Sequence, residues 1–171
     1  MAPSHVLVPL DGSPLADKAF EQALELFDCR VTVLNVVTPI DATMSEGGIL
    51  APDEDRRESA RERAEHVIER AQAQAADSDR TIETVVETGD PADSILDMAQ
   101  QCGADMIVLG HRGLGRVKTI LLGSVAQKVV QQAECSASIA CACAGQHFKH
   151  TFLDLNVSLA KATLWIIQRL T

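Results

Sequence analysis

The sequence predicts an open, mostly parallel five-stranded α/β sheet with helices on both faces. Three observations carry that prediction. Short valine-rich runs alternate with helical patterns along residues 5–144, which is the order of a doubly wound sheet. Two helix starts carry a polar cap followed by proline, at Ser13-Pro14 and at Asp90-Pro91. Residues 104–133 read as a strand, a glycine-rich loop and a helix start in immediate succession.

The elements follow in order. HVLVPL at 5–10 is a short apolar run suited to a buried strand. Ser13 caps a helix whose Leu15, Ala19, Ala23 and Leu26 recur at helical spacing. VTVLNVV at 31–37 is the second strand, ended by Pro39. Residues 38–52 hold Pro39, Gly47, Gly48 and Pro52 without a clear period and read as a mobile connection. Residues 53–76 form a long helix with a narrow stripe of Ala60, Ala64, Val67, Ile68, Ala71 and Ala75. TIETVVET at 81–88 alternates and is β-branched, as a strand near an edge would be. Asp90-Pro91 starts a helix that Gly103 ends. SASIACACA at 136–144 is the last strand, built almost entirely of small residues. In the tail, Leu153, Val157, Ala160, Leu164 and Ile167 recur at the spacing of an amphipathic helix. The expected organisation is a domain at 1–144 and a helical C-terminal extension at 145–171, packed on the domain or on a partner.

Composition narrows the function. The chain has 171 residues, 46% of them hydrophobic, enough for one core-bearing domain. Its net charge of −9 is carried by residues 41–93, where 15 acidic residues face 6 basic ones. An acidic chain lacks the basic face that a phosphate backbone demands, so nucleic acid is not the expected partner. Neither a membrane-length apolar run nor a signal peptide pattern is visible, and five cysteines fit reduced thiols; the expected location is the cytoplasm.

The chemistry concentrates in ADMIVLGHRGLGRVKTILLGSVAQKVVQQA at 104–133. From Met106 to Ala133 there is no acid, whereas Arg112, Arg116, Lys118 and Lys128 are present. Free N–H groups at a helix start, after a glycine loop, favour an anion. Glycine also lets the backbone approach a ligand closely. The loop is not a P-loop, because Arg116-Val117 stands where Lys-Ser/Thr is required, and it lacks the dinucleotide order G-x-G-x-x-G. It reads G-x2-G-x9-G-[ST], at Gly110, Gly113, Gly123 and Ser124. In parallel sheets ligands bind beyond the carboxyl ends of the strands, which makes the loop after Leu10 the second candidate wall. Asp11 is its carboxylate.

VLVPLDGS at the first strand, the Gly89-Asp90-Pro91 start, ADMIVLG and the glycine pattern running into GSVAQKVV together resemble the universal stress proteins, over roughly residues 4–135. The resemblance implies a Rossmann-like fold of the adenine nucleotide alpha hydrolase type, and membership of the subgroup that binds ATP. It implies that Asp11 lies near the phosphates or their Mg²⁺, in the loop between Pro9 and Ser13. It implies that the backbone of Val36 meets the adenine. Gly110, Arg112 and Gly113 would lie along ribose and phosphates, and Ser124 with the N–H groups of Gly123 and Val125 would cradle phosphate. It also implies a nucleotide-responsive stress regulator, commonly a homodimer paired through its last strand. Here Ser136 and a small-residue strand replace the family's proline and aliphatic strand, which weakens that pairing. No catalytic set of carboxylates or Ser/His/Asp is recognisable; His111 is the one loop base. Two alternatives remain at this stage. One is a scaffold acting through the tail helix. The other is a metal or redox module of Cys135, Cys141, Cys143, His147 and His150, whose spacing matches no common zinc module.

Overall fold

The computed structural model describes residues 2–39, 44–45, 48–49, 54–110, 123–140 and 152–155. Strand β1 (His5–Pro9) leads into α1 (Pro14–Leu26), β2 (Arg30–Val37), and a two-residue pair, β3 (Met44–Ser45) with β4 (Gly48–Ile49). Then come α2 (Glu54–Asp77), β5 (Glu83–Thr88), α3 (Pro91–Cys102), β6 (Met106–Gly110), α4 (Ser124–Gln132), β7 (Ser136–Ala140) and β8 (Phe152–Leu155).

The main sheet has the order β5-β2-β1-β6-β7-β8. Its first five strands are all parallel, which is the predicted five-stranded sheet, and β5 lies at the edge as its alternation suggested. Each helix covers one face. Val6 and Val8 of β1 point toward α1 and α2, where Phe20, Val67, Ala71 and Val108 complete one core. Leu7, between them, points the other way, into Leu34, Ile95, Met98, Ile107 and Val129 under α3 and α4. That alternation on a strand buried on both faces is why β1 reads as continuously apolar. Phe20, fully buried, contributes about 3 kcal/mol through the hydrophobic effect alone. The alanine stripe of α2 is real: Ala64, Val67, Ala71 and Ala75 are buried, and most of the residues around them are exposed.

The bottom of the sheet is tied by polar contacts. Asp105 Oδ2 accepts from the Ser4 N–H at 2.8 Å and from the His5 N–H at 3.1 Å, and also from the Ser4 hydroxyl. These donors hold its carboxyl below the usual carboxylate range, the Ser4 hydroxyl being the largest cause. On the neighbouring strands Arg30 forks onto Glu83, at 2.8 and 2.7 Å, and joins β2 to β5.

Two expectations change. Within residues 38–52, Met44 pairs with Ile49 and Ser45 with Gly48, so part of the expected connection is a minute hairpin. In the tail, residues 152–155 form a strand where the helical seam was expected to begin. β8 runs antiparallel to β7, with Ile139 opposite Leu153 and Ser138 opposite Asp154. The outer edge of β7 offers a row of unpaired backbone groups, and local helical spacing takes no account of that demand. The rest of the tail lies outside the described residues. β8 thus occupies the strand edge to which the resemblance assigned subunit pairing.

Candidate functional site

A cavity of about 640 Å³ opens at the carboxyl ends of β1, β2 and β6. This is the switch point of the sheet. From β1 the chain moves outward to β2 and β5, then crosses back to place β6 on the other side of β1.

The first wall is the turn after β1. The Leu10 N–H donates to the Leu34 carbonyl at 2.8 Å and extends the β1–β2 ladder by one bond. Gly12 follows at φ +79°, the left-handed region that glycine adopts without strain. Asp11 Oδ1 accepts from the Ser13 N–H at 2.9 Å, closing a small side-chain turn. Ser13 Oγ accepts from the Ala16 N–H at 3.3 Å and caps α1, with Pro14 as its first residue. Asp11 is therefore exposed, yet held at the mouth of the cavity by the geometry of the turn.

Opposite stand Asn35, Val36 and Thr38 at the end of β2, with Leu109 and Gly110 at the end of β6. The start of α4 closes the cavity through Gly123, Ser124 and Val125. Gly123 is the N-cap residue of α4, at φ −63° and ψ 155°, and among the described residues no side chain caps the helix. α1 and α3 differ: Ser13 and Asp90 accept from their first turns. The start of α4 thus offers uncapped N–H groups and the Ser124 hydroxyl on the cavity wall, a natural partner for an anion.

Of the residues expected from sequence, Pro9, Asp11, Ser13, Val36, Gly110, Gly123, Ser124 and Val125 all line this one cavity. Arg112 and Gly113 lie outside the described residues, as do His111, Arg116 and Lys118. One reading of local chemistry needs correction. Lys128, counted among the cations available to an anion, is committed elsewhere. Its Nζ stands 2.7 Å from Asp93 Oδ1 and 3.3 Å from Asp90 Oδ1, so it ties α4 to the start of α3. The Asp93 hydrogen bond, foremost, raises the Lys128 pKa, and hydrogen bonds led by the Asp93 N–H lower that of Asp90. Gly110 was expected to give a ligand room. Gly110 lines the cavity as expected, and its missing side chain also makes room for α1: a Cβ would lie 2.8 Å from the Ala16 nitrogen and from the Leu15 carbonyl carbon and oxygen.

Sequence reasoning missed Asn35, Thr38 and the α3 residues Pro91 and Ile95 on the cavity wall. Asn35 had a signal, being the lone polar residue among the aliphatic ones of VLNVV. Its Nδ2 donates to the Leu10 carbonyl at 2.7 Å in a buried setting. Of the proposed Cys/His cluster only Cys135 is described, and burial pushes its thiol up. Among the described residues no three His, Cys, Asp or Glu side chains gather as a metal site. Among them, too, no helix is long and apolar enough to cross a membrane.

Comparison with known proteins agrees with the architecture. The model of the universal stress protein family matches residues 3–139. Universal stress protein YxiE of Bacillus subtilis is 34% identical over 145 residues, covering 80% of this chain and 97% of its own. Among solved structures, universal stress protein UspA from Lactobacillus plantarum superposes with a TM-score of 0.65 at 26% identity, over 81% of this chain and 98% of that one. A universal stress family protein of Arabidopsis thaliana, solved with AMP bound, shares the fold with a TM-score of 0.59 at 24% identity, over 80% of this chain and 90% of its own. With the family's model spanning the sheet from before β1 into β7, the chain belongs to the universal stress protein family.

Proposed function

We propose that the cavity at the β1–β6 switch point binds an adenine nucleotide, ATP in the first instance, and that occupancy changes the protein's conformation or assembly. The observation that carries this reading is the convergence of Asp11, Val36 and the uncapped start of α4 on one cavity. A family relative of the same fold holds AMP. The volume lies within the about 300–1,000 Å³ typical of small-molecule sites.

The residues fit the group they would hold. The apolar end of the cavity, at Leu34, Val36 and Ile95, suits a base, and the backbone of Val36 would meet the adenine edge. Gly123, Ser124 and Val125 would take phosphate through N–H groups and a hydroxyl. Arg112 and Gly113 would complete the ribose and phosphate side. Asp11 would carry the Mg²⁺ that accompanies the phosphates, at the rim that Pro9 and Ser13 support. Mg²⁺ there would neutralise phosphate charge. On this reading the protein is a cytoplasmic, nucleotide-responsive stress regulator.

Calorimetric titration with ATP, with and without Mg²⁺, tests the proposal. Saturable binding is expected, weakened when Ser124 is replaced by a bulky residue. Absence of heat at millimolar nucleotide would sink it. Mass spectrometry of small molecules released from the purified chain is an independent check.

A further inference from the structure

We infer that Asn35 is a positioning residue for Asp11, and that through it the β2 strand sets how well the site accepts a metal-bound nucleotide. The inference rests on the nucleotide reading above. Asn35 is buried, at 6% exposure, with aliphatic neighbours Val33, Leu34, Val36 and Val37 along the strand. A backbone carbonyl only accepts, so the bond to Leu10 at 2.7 Å fixes the amide nitrogen of Asn35 on that side. The Leu10 peptide is then held on both sides: its N–H by the Leu34 carbonyl, its C=O by Asn35. The next residue is Asp11, and after it the chain turns through left-handed Gly12 into the Ser13 N–H that Asp11 accepts. Among the described residues the turn after β1 thus has one side-chain anchor on a neighbouring strand, and that anchor holds the carbonyl immediately before the carboxylate residue. A main-chain carbonyl buried without its donor is costly, so losing the amide frees the whole turn to seek other partners.

Two isosteric variants separate positioning from general support. In Asn35→Asp a carboxylate, which only accepts, faces the Leu10 carbonyl; Asn35→Leu keeps the volume and removes the donor. Asp11→Asn is the partner variant, because its amide oxygen still accepts from the Ser13 N–H while the charge is gone. Hydrogen exchange in the ligand-free proteins comes first. Loss of the anchor is expected to speed exchange at Leu10 and Ser13 by about tenfold while Val33, in the middle of β2, keeps its protection. Unchanged protection at Leu10 and Ser13 in both variants would overturn the inference.

The second measurement is ATP affinity in a double-mutant cycle. Mg²⁺ is expected to tighten ATP binding to the wild-type chain. Asp11→Asn and the uncharged Asn35→Leu should each shrink the ratio of ATP affinity with Mg²⁺ to affinity without it. The double variant should be no weaker than Asp11→Asn alone. Losses that multiply, or a loss at Asn35 that is equal with and without Mg²⁺, would show Asn35 to be ordinary support and overturn the inference while the nucleotide reading stands. A wild-type chain that binds no ATP would sink both.

Discussion

Gly110, the last residue of β6, meets Ala16 in the first turn of α1 so closely that a methyl group on it would stand 2.8 Å from the Ala16 nitrogen. The contact is backbone against backbone, with no flexible side chain to yield. Gly110→Ala should therefore destabilise the fold by about 1–3 kcal/mol, the usual cost of overpacking. Urea denaturation without ligand would register the loss. Unaltered stability would mean that α1 gives way to the added methyl group.

Asp105 gives the fold an acid dependence of known sign. Its carboxyl titrates below its ordinary value, chiefly because the Ser4 hydroxyl donates to it. A depressed folded-state pKa means stability that is present above the unfolded value of about 3.9 and is lost as pH falls through the folded one. Ser4→Ala should move the Asp105 titration upward and bring the onset of acid unfolding to higher pH. Carboxyl carbon NMR and thermal melts between pH 2 and 6 would follow the two effects.

Lys128 is the cation whose removal should matter least to the ligand. Its ion pairs with Asp90 and Asp93 are on the surface and join α3 to α4. Lys128→Met should leave ATP affinity within about twofold of wild type, as expected for an exposed pair away from the ligand. Arg112→Met should weaken it, through loss of a phosphate partner. Isothermal titration of the two variants side by side checks the assignment, and a larger loss at Lys128 would reverse it.

The edge strand β8 sets a fourth expectation. While β8 pairs with β7, that edge is closed to a second copy. A chain ending at Gly145 should self-associate more strongly than the full chain, because β7 then presents open backbone groups. Sedimentation velocity over a concentration series would show it. Equal association of the two chains would mean that subunits, where they form, meet on another surface.

The features legible in the sequence were local ones. Pro14 and Pro91 marked helix starts because proline fits the first turn whatever packs around it. Gly123 and Ser124 marked an anion-ready helix start for a similar reason. What stayed hidden depends on partners distant in sequence. Asp93 claims Lys128 across 35 positions, and Leu10 claims Asn35 across 25. Gly110 looks identical in sequence whether a ligand or a helix fills the space of its Cβ. β8 was hidden because its spacing fits a helix, and the deciding term is the unsatisfied edge of a strand elsewhere.

The cavity lies on the seam where β1 pairs with β6, joining Val6 to Met106. On one side stand β1, β2 and β5, which precede the crossover; on the other stand β6 and β7, which follow it, and α1 packs across onto β6 and β7. Closing that seam is the step of highest loop entropy in the sheet. A nucleotide in the cavity would touch both halves at once and act as a reversible clasp between them. Thermal stability should then rise with the logarithm of free nucleotide once the site is filled. The resistance of the fold to opening would become a running measure of the cell's adenylate supply.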